Sequence, residues 1–156
     1  MVSIEGQIRD VLQANWSLAG TLLASNVHFS IGWYDSEYQN NPQITVNKAW
    51  SPEPRWFGSY LEEGIVDLGY ISNDRYFVDC WKTTDHDILG EEEIETIGDM
   101  VTEVFRILNN TREGYTPPLG LVLPLDRGIA QHETNRQPYI MHIQMLVQAN
   151  YKSGLP

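Results

Sequence analysis

Asp85-His86-Asp87, followed closely by Glu91, Glu92 and Glu93, sets carboxylates and an imidazole within one short stretch, the donor types that hold a metal ion. Their spacing matches neither a calcium loop nor two histidines one helical turn apart on a zinc-binding helix. The acids read instead as the entrance to a helix, where the positive end of the helix dipole favours negative charge. The four histidines, His28, His86, His132 and His142, are scattered, and His28 and His142 fall on strands, where a polar sheet face is their expected place. Cys80 is the one cysteine and stands among large apolar residues. A nucleophilic thiol needs a base and an electropositive setting, and none is visible, so Cys80 reads as a small buried hydrophobe. No glycine-rich dinucleotide fingerprint, phosphate loop or serine elbow occurs. The residues therefore name no catalytic group, no metal ligand and no cofactor. Carboxylates can still meet in a fold without being adjacent in sequence. That leaves one alternative: an enzyme or small-molecule-binding domain with a pocket between a sheet and residues 51–70, using Asp79, His86 or His142.

The five tryptophans invite a sugar- or base-binding reading, but only Arg55, beside Trp56, supplies a basic companion. Trp33, Trp50 and Trp81 lie on expected strands and read as core or sheet-face residues, whereas Trp16 and Trp56 flank loops and are candidates for exposure. Ten basic against twenty-one acidic residues give a formal charge of −11, which repels a phosphate backbone and excludes a broad nucleic-acid grip. The lone cysteine and the lack of a charged leader before an apolar run point to a reducing cytoplasm, and no apolar run reaches the eighteen or so residues of a membrane span.

These side chains need elements to hold them, and the hydrophobic periods supply most of them. Ser3 caps a first helix with Ile4, Ile8, Val11 and Leu12 at helical spacing, ending between Asn15 and Gly20. NVHFSIGWY alternates as a strand, with Val27, Phe29, Ile31 and Trp33 on one face; DSEYQNNP returns the chain into QITVNKAW, and the two strands are expected to pair antiparallel. Residues 51–70 follow no single period and suggest an edge segment or a long hairpin excursion. SNDR reads as a turn before RYFVDCWKTT, a central strand apolar on both faces. EEEIETIGDMVTEVFRILNN is an amphipathic helix. Ile94, Ile97, Val101, Val104, Phe105 and Leu108 form its apolar stripe, with Glu92, Glu95, Asp99, Glu103 and Arg106 mainly opposite. Asn109 and Asn110 suit a left-handed exit turn. TREGYTPPLG is a loop, LGLVLPLDRG a short strand that Pro124 confines to an edge or irregular position, and DRGIAQHETNRQP a link to the last strand. The expected fold is α+β over a single domain, 1–156. It has a mostly antiparallel sheet, one long amphipathic helix packed on it, a short N-terminal helix and a long C-terminal strand.

That last strand, PYIMHIQMLVQANY, alternates more cleanly than any other stretch. Its fourteen residues reach roughly 45 Å, beyond the length of an average strand, so part of it is expected to project and find partners outside its own subunit. IRDVLQANW, the pair VHFSIGWY and QITVNKAW, YFVDCWKTT leading into the acidic-started helix, and LVLPLDRGIAQHETNRQPYIMHIQMLVQANY together give a layout that resembles the tail-terminator and tail-completion (neck, head-tail joining) proteins of tailed phages and their archaeal counterparts.

The resemblance implies a structural virion assembly protein and not an enzyme. It implies a homo-oligomeric ring, usually of six subunits, that meets tail-tube and head-connector proteins and lets DNA pass an acidic channel without specific binding. It further implies no cofactor, no membrane, and a place in the virion after assembly in the host cytoplasm. The expected subunit interface comprises Tyr139, Met141, Ile143, Met145, Val147 and Tyr151 on the last strand, with Trp56 and Tyr115; the loops 35–42 and 112–118 are expected to touch neighbours. A third class is a cytoplasmic adaptor that binds a basic partner through the acidic surface.

Overall fold

The computed structural model describes residues 3–50, 55–61, 64–84, 90–111, 119–128, 130–135 and 138–153. Helix α1 spans Ile4–Asn15, and the Ser3 hydroxyl accepts the Gly6 amide at 3.0 Å, which satisfies one of the free donors of the first turn. Ile8, Val11 and Leu12 are buried as the helical period requires. Helix α2 spans Glu91–Asn110 with three glutamates in its first turn. Met100 and Ile107 join the expected stripe in the core, while Ile94 is half exposed. The helix ends at Thr111 with φ −88°, so the expected left-handed Asn exit does not form; the Thr111 amide instead closes on the Ile107 carbonyl at 2.8 Å.

The strands are β1 (His28–Ile31), β2 (Gln43–Trp50), β3 (Arg55–Leu61), β4 (Gly64–Thr84), β5 (Leu119–Asp126), β6 (Ala130–Glu133) and β7 (Tyr139–Ser153). Among the described residues they form one sheet in the order β1-β2-β4-β7-β5, with β3 on β4 and β6 on β7. All pairs are antiparallel except β1 with β2. The fold is α+β, as the sequence led one to expect.

The parallel β1–β2 pair corrects the expected hairpin. Residues 32–42 are long enough for a crossover, and Gly32, at φ +107°, turns the chain out of the strand early. Gln43 then fastens the crossover. Its amide oxygen accepts the Asp35 amide at 2.9 Å, and its nitrogen donates to the carbonyls of Asp35 and Tyr38 at 2.8 and 3.1 Å.

Residues 72–75, expected as a turn, are the middle of β4. Their backbones pair with Tyr151, Asn150, Ala149 and Gln148 of β7, and that pairing overrides local turn preference. What changes at this point is the partner on the other edge: β4 pairs with β3 up to Ile71 and with β2 from Arg75. Asp74 is buried there and meets Lys48 at 3.5 Å. Between β5 and β6, Gly128 adopts φ +70°, and a Cβ at this place would overlap the Gln144 carbonyl oxygen, so the LDRG turn needs its glycine.

Both helices cover one face of the sheet. Ile44, Val46, Tyr76, Val78, Cys80, Met145, Val147 and Ala149 meet Ile8, Leu12, Ile97, Met100, Val104 and Leu108 there, all but closed to water. Each such aliphatic side chain contributes about 1.5–3 kcal/mol relative to exposure. Glu103, expected on the polar side of α2, is buried instead. It accepts the Ser17 amide and hydroxyl, both at 2.9 Å, and pairs with Arg106 at 2.6 Å. Arg106 in turn donates to the Asn15 carbonyl at 2.9 Å, so the end of α1 is tied to α2.

Candidate functional site

The face of the sheet away from the helices carries the chemistry. Strand alternation that sends Val78 and Cys80 into the core sends Asp79 and Trp81 to this second face, and on β7 it sends His142 there while Met141 and Ile143 go inward. Asp79 and His142 come from the two central strands, where Cys80 is paired with Ile143 and Trp81 with His142. The His142 Nε2 and the Asp79 Oδ1 lie 2.6 Å apart, with side chains only 5% and 0% exposed. Burial pushes the Asp79 carboxyl above its ordinary range, and the hydrogen bond and charge of His142, with a smaller pull from Gln144, act against that rise. Its Oδ2 has no hydrogen-bond partner of good geometry.

An aromatic stack closes over the pair. The Trp81 ring lies parallel to the His142 ring at 3.6 Å and donates its Nε1 hydrogen to the Thr45 hydroxyl at 2.8 Å. Trp33, carried over by the crossover, stands edge-on to Trp81 at 4.8 Å and to His142 at 5.6 Å. Trp33 is 53% exposed and Trp16 only 8%, the reverse of the sequence expectation. Gly32, at φ +107°, takes Trp33 out of the strand's alternation. Trp16 tucks its Nε1 onto the Leu22 carbonyl at 2.7 Å and its ring against Phe29.

The Asp79–His142 pair thus cross-links the two central strands beneath a tryptophan roof, and neither group reaches solvent. The alternative reading needed these residues in a pocket beside residues 51–70. Among the described residues, Asp79 lies about 30 Å along β4 from Tyr70, so the pair stands well away from the described part of that excursion. A cleft of about 340 Å³ among the described residues is lined by Thr21, Asn26, Asn40, Asn41, Pro42 and Lys82 and includes neither member of the pair. His86, with Asp85 and Asp87, lies outside the described residues, and no cluster of metal-ligating side chains occurs among those described. Cys80 is fully buried, and burial pushes its thiol well above its usual value, as suits a core residue.

The expected interface on the last strand needs correction. Met141, Ile143, Met145 and Val147 face the helices and are buried in the core of their own subunit. Nor does β7 lack partners. β4 accompanies it from Tyr139 to Ser153, and its other edge is taken by β6 over 140–143 and by β5 over 146–151. The strand is as long as expected; β4, longer still, runs beside it. Tyr139 is half-buried, its ring edge-on to His132. Tyr151 and Trp56 are placed by their backbones in β7 and β3, and Tyr115, with the rest of 112–118, lies outside the described residues. The loop 35–42 is pinned by Gln43 and by the Thr83 hydroxyl, which donates to the Gln39 carbonyl at 2.8 Å.

The part of the sheet that does overhang is the hairpin of β3 with the start of β4. Among the described residues, β7 reaches β4 as far as the Tyr70–Ser153 pair, and β2 as far as Trp50–Arg75. Residues 64–69 and their partners on β3 therefore have no third strand among the described residues. The excursion over 51–70 is, in its described part, this hairpin.

No protein-family model matches the chain, and no curated protein is similar to it. Its fold is similar to that of a chain in the virion of a native gene transfer agent (GTA) particle, with a TM-score of 0.54 and 10% sequence identity, over 97% of this chain and 96% of that one. Among the described residues, no helix is long and apolar enough to cross a membrane.

Proposed function

We propose that this chain is a structural subunit of a virion or virion-like particle, a single domain that forms a ring as a tail terminator or head-tail joining protein of a tailed virus or prophage. The observation that carries the reading is the fold likeness to a chain of a gene transfer agent virion, which extends over nearly the whole of both chains. The layout of helix, sheet, acidic-started helix and closing strands supports it. So does the charge of −11, since an acidic lining lets DNA slide without adhering.

The mechanism is geometric, with no catalysis and no cofactor. The helix-backed sheet, cross-linked at Asp79 and His142 and tied at Glu103, is a rigid wedge. One head-to-tail contact repeated through a fixed rotation closes wedges into a ring. The ring joins tail tube and head connector in the virion after assembly in the host cytoplasm. Mass measurement by light scattering and native mass spectrometry at micromolar concentration, with negative-stain imaging, tests the reading. Closed multimers are expected, and a strict monomer at every concentration refutes it.

A further inference from the structure

A ring built from one head-to-tail contact needs two different surfaces on one subunit, and the backbone supplies a matched pair. The first is the overhanging hairpin. After the pair Trp56–Tyr70 and a register shift, Gly58 to Leu61 pair with Asp67 to Gly64 as a two-stranded arm. Residues 64–69 carry it about 20 Å past the last strand that flanks it among the described residues. A two-stranded ribbon is marginal in water, and its open backbone edges attract strands. Eight of the sixteen residues over 55–70 are aromatic or aliphatic, too many for an arm that stays solvated.

The second surface is the outer edge of β1. His28 and Gly32 donate their amides to Pro42 and Val46 on the β2 side, so by alternation the amides of Phe29 and Ile31 point outward, where no strand lies among the described residues. HFSI has no acidic, lysine, arginine or proline residue to blunt the edge, and Ile31 is 45% exposed. The opposite edge of the sheet is blunted: β5 shifts register at Pro124, and the chain turns at Gly128 before β6.

The arm cannot reach its own β1. Ile31 is level with Val46 and so with Val78, about 30 Å along β4 from residue 69. A β1 edge can therefore meet it only from another molecule. We infer that the β3–β4 arm of one copy adds onto the β1 edge of a second copy of this chain, by backbone pairing and burial of apolar groups. The contact joins two unlike surfaces, so it repeats head to tail, and a rotation that divides a full turn closes it into a ring. The inference rests on the ring reading and specifies its joint.

Two full-length variants test it, with light scattering and native mass spectrometry for assembly and circular dichroism for the fold. One replaces residues 57–69 by an Asn-Gly turn between the paired Trp56 and Tyr70. The other is Ile31→Lys, which puts a charge on the receiving edge without touching the core. Both are expected to fold cooperatively, and both to lose assembly at concentrations at least tenfold above those at which the wild type assembles. Hydrogen exchange should show residues 64–69 protected in the assembled wild type and open in the Ile31→Lys protein. If the wild type assembles and either folded variant assembles equally well, the joint is wrong and the ring reading stands. A wild type that never assembles overturns the ring reading and the joint with it. Should the shortened protein fail to fold, Ile31→Lys alone decides.

Discussion

Glu103 is the position where a single change should most clearly loosen the wedge. Its carboxylate accepts from the Ser17 amide and hydroxyl at 2.9 Å, from Arg106 Nε at 3.0 Å and from Arg106 Nη2 at 2.6 Å. The guanidinium of Arg106, first, and then Ser17 hold this carboxyl below its usual range despite its burial. Hydrogen bonds to a charged group contribute about 1.5–3 kcal/mol each. Arg106 is 45% exposed, so solvent screens its share, and the Ser17 contacts carry most of the effect. Glu103→Gln keeps an acceptor for Ser17 but turns an amide toward the guanidinium, with an expected loss of about 1–2 kcal/mol. Glu103→Ala, which leaves the Ser17 donors unpaired, is expected to cost about 2–3 kcal/mol. At this chain length each kcal/mol lowers Tm by about 2–4 °C, so Glu103→Gln should melt about 2–8 °C below wild type at neutral pH.

The pH dependence adds an independent check. A carboxyl whose folded pKa is lowered contributes stability above its unfolded value, near 4.3, and that stability is lost as pH falls through the folded value. The gap between wild type and Glu103→Gln should therefore be full at neutral pH and shrink below about pH 4. Calorimetry at fixed protein concentration reads both quantities. Equal melting at neutral pH, or a gap that persists undiminished to about pH 2, refutes the argument that the ionised Glu103 ties α1 to α2.

Gly128→Ala, forced to φ +70° against the Gln144 carbonyl, should cost about 2 kcal/mol or more, read by urea denaturation. Asp79→Ala leaves the buried His142 imidazole unpaired and should cost about 1–3 kcal/mol. Asp79→Asn behaves differently. Burial raises the carboxyl, so its stabilising neutral form is complete below about pH 3.9 and lost as pH rises through the folded value. The stability of Asp79→Asn relative to wild type should thus improve from about pH 4 to pH 7, and a constant difference would contradict the burial argument. Cys80 should stay unreactive to a disulfide reagent in the native protein and react only on unfolding.

Local signals were legible where local physics decides. The apolar period of α2, the Ser3 cap and the edge position of the Pro124 strand all follow from residues within a few places of one another. What escaped the sequence was set across the fold. Ser72-Asn73-Asp74-Arg75 has turn chemistry, yet seventy-odd residues later β7 offers a continuous partner and the turn never forms. Glu103 falls on the polar side of a helical wheel, and only Ser17, 86 residues earlier, explains its burial. The glycine after Ile31 was the one local sign that Trp33 leaves the strand's alternation. Asp79 and His142 were visible as candidates but not as a pair, because register between β4 and β7 brings them together and no spacing in sequence encodes it.

The sign of the salt dependence separates assembly from an adaptor role, and it follows from the charge. Copies carrying −11 each repel as they approach, so a joint between them must draw on backbone pairing and apolar burial and must overcome that repulsion. Added salt shortens the range of the repulsion, to about 8 Å at 0.15 M, and leaves the apolar term intact. Self-association should therefore strengthen as sodium chloride rises from about 0.02 to 0.5 M, measured by sedimentation velocity over a concentration series. Binding of a basic partner through the acidic surface would weaken over the same range, because the same screening removes its attraction. Self-association that dissolves with salt would mean that opposite charges hold the copies together, and the pairing of an apolar, uncharged edge with an overhanging hairpin would no longer be what closes the ring.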